Sequence, residues 1–261
     1  MNTEQFSRIS LLVGEHNIKQ LFKKHVAIVG IGAVGGMALE ALARAGVGNI
    51  TLVDFDTISV SNINRQIIAT WDTVGKDKAE EAKNRVLSIN RDCNVQVIKS
   101  FFSLEESETI FSEKFDLVID SIDSLNPKCQ LLEYCYNNKI PVISSMGAAL
   151  KRNPSLIQYS DLFDSYGDRL AKIVRKRMTA RGVGRGIKVV FSPEIVRYNY
   201  EKAEDINKEE TIKRGRKRNV LGSLPTVTGI FGLTIAHYAL AMLTDEAEFT
   251  GEKSINKRLI K

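Results

Sequence analysis

Along the first 150 residues, short unbroken apolar runs alternate with longer stretches in which apolar positions recur at helical spacing. The unbroken runs are Val26–Val29, Ile50–Asp54, Val95–Ile98, Leu117–Ile119 and Val142–Ser145, and each reads as a strand. Most are β-branched and apolar at consecutive positions, the pattern of strands covered on both faces. Between them, Val34–Ala45, Lys76–Ile89, a short stretch near Glu105–Ser112 and Asn126–Asn138 read as helices. This alternation predicts an α/β fold, a mostly parallel Rossmann-like sheet with helices on both faces. Residues 4–24, which include F-S-R-I-S-L-L-V, read as an amphipathic lead-in helix.

After Gly147 the pattern changes. Residues 151–190 carry ten lysines and arginines against three aspartates, and residues 200–218 are densely charged and are read as including a mobile loop. Leu224–Leu243 is then a run of twenty residues without a charge, about the length of a membrane span. It also holds Pro225, Gly229, Gly232 and His237, and no second such segment occurs. We read it as a buried, apolar C-terminal helix with Ser223 as its N-cap and Pro225 in its first turn, not as a membrane element. The expected organisation is one domain: a lead-in helix at 4–24, a nucleotide-binding core at 25–150, a basic elaboration at 151–220 and the buried helix at 221–245.

Composition changes this picture little. Of the 261 residues, 43% are apolar and 26% charged, as in ordinary soluble globular proteins. No charged-then-apolar leader opens the chain, which predicts a cytoplasmic protein. Cys93, Cys129 and Cys135 form no C-x-x-C pair, so they predict neither structural zinc nor a disulfide framework. They read as small buried hydrophobes. The net charge of +6 points to an anionic partner without identifying it.

The chemistry is written between Val26 and Arg65. The first apolar run ends in Gly30-x-Gly32-x-x-Gly35, with Ala33 inside the turn, and continues directly as helix. Strand, glycine turn and helix together give a phosphate site, because the helix N-terminus presents unpaired N–H groups. Asp54 follows Gly35 by nineteen residues, at the end of the second run, where a carboxylate can accept from ribose hydroxyls. Beyond it come Asn62 and Arg65 in S-N-I-N-R-Q, then Lys78, then Asp120 and Asp123 in D-S-I-D. A hydride-transfer site has no use for this arginine, lysine and late carboxylate. Triphosphate chemistry does: cations hold the phosphates, and a carboxylate such as Asp123 can bind the magnesium that neutralises them. Each residue also has an ordinary structural use. Asp54 or Asp56 could cap a turn, Arg65 could make a surface ion pair, Lys78 could lie on a solvated helix face, and Asp123 could cap the next helix.

The segments G-I-G-A-V-G, L-V-D-F-D, N-I-N-R-Q and D-S-I-D resemble the ThiF/MoeB family, relatives of the ubiquitin-activating enzymes, which use ATP to adenylate a carboxylate. The resemblance implies that Gly30, Gly32, Ala33 and Gly35 form the phosphate turn and that Asp54 binds ribose. It also implies that Asn62, Arg65 and Lys78 contact phosphates and that Asp123 holds Mg2+. Arg8 resembles the arginine that such enzymes lend to the partner's ATP across a homodimer. Within the family, the chain is similar to the tRNA threonylcarbamoyladenosine dehydratases over nearly its whole length. S-S-M-G-A-A, P-S-L-I-Q-Y-S-D-L, G-I-K-V-V-F-S-P-E and the closing G-S-L-P carry that similarity. The subgroup implies a tRNA partner, held by the basic helix around Arg175, Lys176, Arg177 and Arg181, and a possible link to a sulfur-transfer protein. Many members have C-P-L-A where this chain has Asp168-Arg169-Leu170-Ala171. Two other readings stay open: an activator of a small protein's C-terminal glycine, and a nucleotide-binding redox or regulatory protein without adenylation. No cysteine follows Cys135, which leaves residues 136–261 without the thiol that passes a protein tail onward.

Overall fold

The structure is a computed structural model that describes residues 4–196 and 221–244. Its centre is a seven-stranded sheet in the order β3-β2-β1-β4-β5-β7-β6. The strands are β1 (His25–Val29), β2 (Asn49–Val53), β3 (Asn94–Ile98), β4 (Leu117–Asp120), β5 (Val142–Ser145), β6 (Gln158–Asp161) and β7 (Lys188–Phe191). All neighbours pair in parallel except β6, which runs antiparallel to β7 at the edge. The parallel α/β architecture expected from the apolar runs is therefore present.

The unbroken runs have a direct cause. In β1, Val26 and Ile28 face one core layer, and Ala27 and Val29 face the other. Helices cover both layers: α3 (Ala33–Ala45) and α4 (Lys78–Ile89) on one side, α6 (Leu125–Asn137) and α7 (Arg169–Ala180) on the other. The short α5 (Ser107–Ile110) leads into β4.

Three sequence expectations need correction. The lead-in is two helices, α1 (Ser7–Val13) and α2 (Glu15–Leu21), because Gly14 sits at φ +87° and breaks the run. Helix α4 begins at Lys78 instead of Lys76, since Asp77 is extended and bridges to Thr57. The basic stretch after Gly147 supplies β6, α7 and β7 in its first part and so completes the sheet. Ser223 is not the cap of the last helix, α8 (Pro225–Leu243), whose N-cap is Leu224 with Pro225 as first residue. The charged stretch 200–218 lies outside the described residues.

Helix α8 is long and apolar enough to cross a membrane, but it packs along α3. Val227, Phe231, Ile235 and Ala239 are buried in the same core layer as Leu39 and Leu42. A Cβ on Gly232 would stand 2.4 Å from the carbonyl oxygen of Val34, so the two backbones touch there. The helix thereby backs the first turns of α3, the helix that the glycine turn opens.

Candidate nucleotide site

The strand order puts a topological switch between β1 and β4. From β1 the chain moves outward to β2 and β3, then returns to add β4 on the other side of β1. Ligands of open α/β sheets bind in the crevice this leaves at the carboxyl ends. Here the crevice is bounded by the glycine turn after β1 and by the turn Ser121–Ser124 after β4.

Gly30 has φ +93°, a conformation that side chains disfavour, and its N–H donates to the carbonyl of Val53. A Cβ at Gly30 would meet the carbonyl of Ser121 at 2.9 Å, so the two sides of the crevice are in contact at its base. Gly32 is the N-cap of α3 and Ala33 its first residue, with open space where a Cβ on Gly32 would go. Gly35 lies one turn in, and its missing Cβ would fall 2.0 Å from the carbonyl oxygen of Gly30.

Asp54 follows β2 and is tied to the turn. Its Oδ2 accepts from the N–H of Ile31 at 2.6 Å, and its Oδ1 from the N–H of Asp56 at 2.9 Å. Burial pushes its carboxyl above the ordinary aspartate range, opposed by the Lys78 charge and those two N–H donors. Lys78, the first residue of α4, is itself buried and reaches Asp56 Oδ2 at 2.9 Å. Glycine turn, Asp54, Asp56 and Lys78 thus form one hydrogen-bonded chain. Asp56 is a link that the sequence reading considered only as a turn cap.

The S-N-I-N-R-Q segment folds back over α3. Ile67 packs on Gly36, and Ile63, Asn64, Arg65, Gln66 and Ile67 line a cavity of about 240 Å³ with Met37 and Pro225. Arg65 donates to two neutral acceptors, the carbonyl of Ser61 and Asn64 Oδ1, both at 2.8 Å. Asn62 is buried and its Oδ1 accepts from the N–H of Ser59 at 3.2 Å. Across the crevice, Asp123 is exposed in the turn before α6, whose N-cap is Ser124 and not Asp123.

Arg8 is not at this site within one chain. Phe6, two residues before it, packs on Phe22 and Gly46 at the amino-terminal edge of the sheet. That is the far end of α3, whose thirteen residues span roughly 20 Å. The basic helix is mixed. Lys176 and Arg177 are exposed, but Arg175 donates to the carbonyl and hydroxyl of Ser165, and Arg181 pairs with Glu133. A cavity of about 440 Å³ opens at the start of α7, lined by Gly167, Asp168, Arg169, Lys172 and Arg175. The cysteines are buried as expected, and burial raises all three thiols, that of Cys93 to about 12. They are therefore not thiolate nucleophiles in this fold.

Two buried lysines escaped the sequence reading. Lys128 pairs with Asp120 at 2.6 Å, and Lys151 donates to the carbonyls of Ser192 and Glu194. A lysine in a charged sequence is by default a solvated residue, so only the fold reveals them.

A model of the ThiF family matches residues 6–261. The tRNA threonylcarbamoyladenosine dehydratase of Bacillus subtilis (strain 168) is 37% identical over 245 residues, 92% of this chain and 95% of that protein. The crystal structure of the E. coli tRNA N6-threonylcarbamoyladenosine dehydratase in complex with ATP superposes with a TM-score of 0.82 at 35% identity, covering 94% of this chain and 96% of that one. By contrast, the molybdopterin-synthase adenylyltransferase of E. coli (strain K12) aligns over 136 residues, 52% of this chain and 54% of that protein, at 35% identity. The chain belongs to the ThiF family.

Proposed function

We propose that this protein binds ATP in the crevice between β1 and β4 and uses it to dehydrate N6-threonylcarbamoyladenosine in tRNA. The observation that carries the reading is the extent of the likeness. It spans nearly the full length of both chains for the Bacillus subtilis dehydratase, the basic α7 region included, but only 52–65% of either chain for the molybdopterin-synthase adenylyltransferases of E. coli and Haemophilus influenzae. The buried, raised thiols argue against those relatives that pass an activated tail onward through a cysteine.

In the proposed reaction the threonyl carboxylate attacks the α-phosphorus of ATP and pyrophosphate leaves, giving an acyl-adenylate. A nitrogen or oxygen of the same modification then attacks the acyl carbon. AMP departs with the former carboxylate oxygen, a proton is released, and a ring closes. The second step is intramolecular, so orientation alone supplies much of its rate.

Gly30, Gly32, Ala33 and Gly35 would cradle the phosphates at the N-terminus of α3. Asp54, already oriented by two backbone N–H groups, would accept from ribose. Asn62, Arg65 and Lys78 would bind phosphate oxygens, and Arg65 can do so by exchanging two neutral acceptors for charged ones. Asp123, an exposed carboxylate in the turn whose Ser121 carbonyl lies against Gly30, would suit Mg2+, which commonly takes one or two carboxylates plus substrate phosphates. Bound there, the ion would neutralise charge developing on the leaving pyrophosphate. Arg8 would serve the partner's site in a homodimer, and a sulfur-transfer protein remains a candidate partner in the cytoplasm. For tRNA, the exposed Lys176 and Arg177, with Lys172 at the neighbouring cavity, would hold backbone phosphates. Arg175 and Arg181 would mainly stiffen the helix that presents them.

Mass spectrometry of modified tRNA incubated with protein, ATP and magnesium tests the reading, the expected result being loss of one water with release of AMP and pyrophosphate. Pyrophosphate exchange driven by a small protein's C-terminal glycine, and not by modified tRNA, would replace it. Tight NAD binding without ATP binding would move the protein out of adenylation altogether.

A further inference from the structure

Lys128 sits in the first turn of α6 with no side-chain exposure. A cation there is disfavoured twice, by burial and by the positive end of the helix dipole. It is retained with all three of its N–H donors used: on Asp120 Oδ2 at 2.6 Å, Ser144 Oγ at 3.2 Å and the Ser145 carbonyl at 3.0 Å. The Ser144 hydroxyl donates to the same Asp120 oxygen at 2.6 Å, while Asp120 Oδ1 accepts from the N–H of Ile122 at 3.0 Å. The network therefore ties α6 to the carboxyl ends of β4 and β5. One of its bonds fixes the Ser121–Ile122 peptide, one residue before Asp123, and the carbonyl of that same peptide rests against Gly30.

We propose that Lys128 is a positioning residue for adenylation, acting through Asp120 to hold the turn that carries Asp123 against the glycine turn, with Ser144 and Ser145 anchoring its ammonium to the end of β5. The inference rests on the reading of the crevice as an ATP–magnesium site. Lys128 touches neither nucleotide nor metal in this scheme. It fixes the carboxylate rotamer of Asp120, and Asp120 fixes the backbone that presents Asp123. Partners in this position characteristically change metal affinity or turnover by about 10–100-fold when removed.

Lys128→Met alone strands a buried carboxylate and can fail to fold, so the informative variant is Asp120→Asn with Lys128→Met, which removes both charges at similar volume. Ser144→Ala is a milder companion, because it removes one hydroxyl and leaves the Lys128–Asp120 pair in place. Val47→Ala, buried at the opposite edge of the sheet, supplies a loss of stability without any change near the crevice. The readouts are Mn2+ affinity by electron paramagnetic resonance in the presence of a non-hydrolysable ATP analogue, analogue affinity without metal, and steady-state kinetics. The double variant is expected to bind Mn2+ about tenfold more weakly and to lose about 10–100-fold in kcat, with the KM for ATP and metal-free analogue affinity nearly unchanged. Ser144→Ala is expected to show the same pattern at smaller amplitude, and Val47→Ala none of it. The proposal is overturned if the double variant, or Ser144→Ala where the double variant does not fold, matches Val47→Ala in Mn2+ affinity and kcat. A wild-type protein that binds neither the analogue nor Mn2+ would instead remove the ATP reading, a distinguishable result.

Discussion

Replacing Gly35 by alanine tests whether the glycine turn is a working surface or only a tight connection. The new Cβ would lie 2.0 Å from the Gly30 carbonyl oxygen, a backbone atom that has no rotamer to escape into. Carbon and oxygen settle at a little over 3 Å, so the turn and the first turn of α3 must separate by about 1 Å, a displacement that can cost about 100-fold in a positioned reaction. That factor corresponds to about 2.7 kcal/mol of transition-state stabilisation. Gly36→Ala is the internal control. Its Cβ would meet only Ile67 Cγ2 at 3.2 Å, the end of a side chain that can move. In an assay of ATP-dependent water loss from modified tRNA, kcat/KM should fall by about two orders of magnitude for Gly35→Ala and by less than about fivefold for Gly36→Ala. Equal activities in the two variants, or a Gly35→Ala enzyme at wild-type rate, would refute the assignment of this turn to phosphate.

Other consequences follow from the same packing. Gly232→Ala places a Cβ 2.4 Å from the Val34 carbonyl and 3.0 Å from the Ala38 nitrogen, so α8 must lift from α3 at a cost of about 1–3 kcal/mol, read as a lower thermal midpoint. Glu40, although its burial works against ionisation, is held below the ordinary glutamate range by Arg85 and Arg44. Its contribution is therefore present above the unfolded pKa of about 4.3 and lost as the pH falls through the lower folded value. Glu40→Gln should cost about 1 kcal/mol near pH 7, given the exposed arginines, and the difference from wild type should vanish in acid melts. Changing Lys176 and Arg177 together to alanine should weaken tRNA binding, with the slope of log affinity against log salt reduced by up to about 1.8. An unchanged slope in filter binding would free α7 from that role.

The parallel core was legible because its strands are buried on both faces, which forces consecutive apolar residues. The edge was not. In β6, Gln158, Tyr159 and Ser160 are only partly buried, so neither an apolar run nor a clean alternation marks the strand. In β7, the apolar residues following Lys188 were hidden within a stretch read for its charge. The candidate nucleotide residues near the glycine turn were legible through fixed spacing, since turn and carboxylate must meet across two adjacent strands. Two features had no local signal. Asp56 matters because Lys78, twenty-two residues later, folds back onto it. Arg175 and Arg181 look like free cations in sequence, and only the packing of Ser165 and Glu133 against α7 shows them engaged.

The distribution of buried charge separates the two edges of the sheet. At the amino-terminal edge the core closes with Phe6, Phe22 and Val47, apolar groups that gain from leaving water. At the carboxyl edge the buried residues include Asp54, Lys78, Asp120, Lys128, Lys151 and Asp168. Stability alone does not explain them, because well-packed apolar side chains of similar volume are often at least as stabilising as a buried ion pair. What such groups add is direction: each one fixes a particular carbonyl, carboxylate or N–H. Asp54 orients the glycine turn, Lys128 the turn before Asp123, and Lys151 the chain leaving β7. A site that must stabilise charge as it develops needs its dipoles set before the substrate arrives, since reorganising them during reaction would cost the energy they are there to supply. Apart from Glu40 in α3 and Asp161, which pairs with the first residue of β7, the buried charged side chains of the described residues gather at this one edge, the pattern that requirement produces.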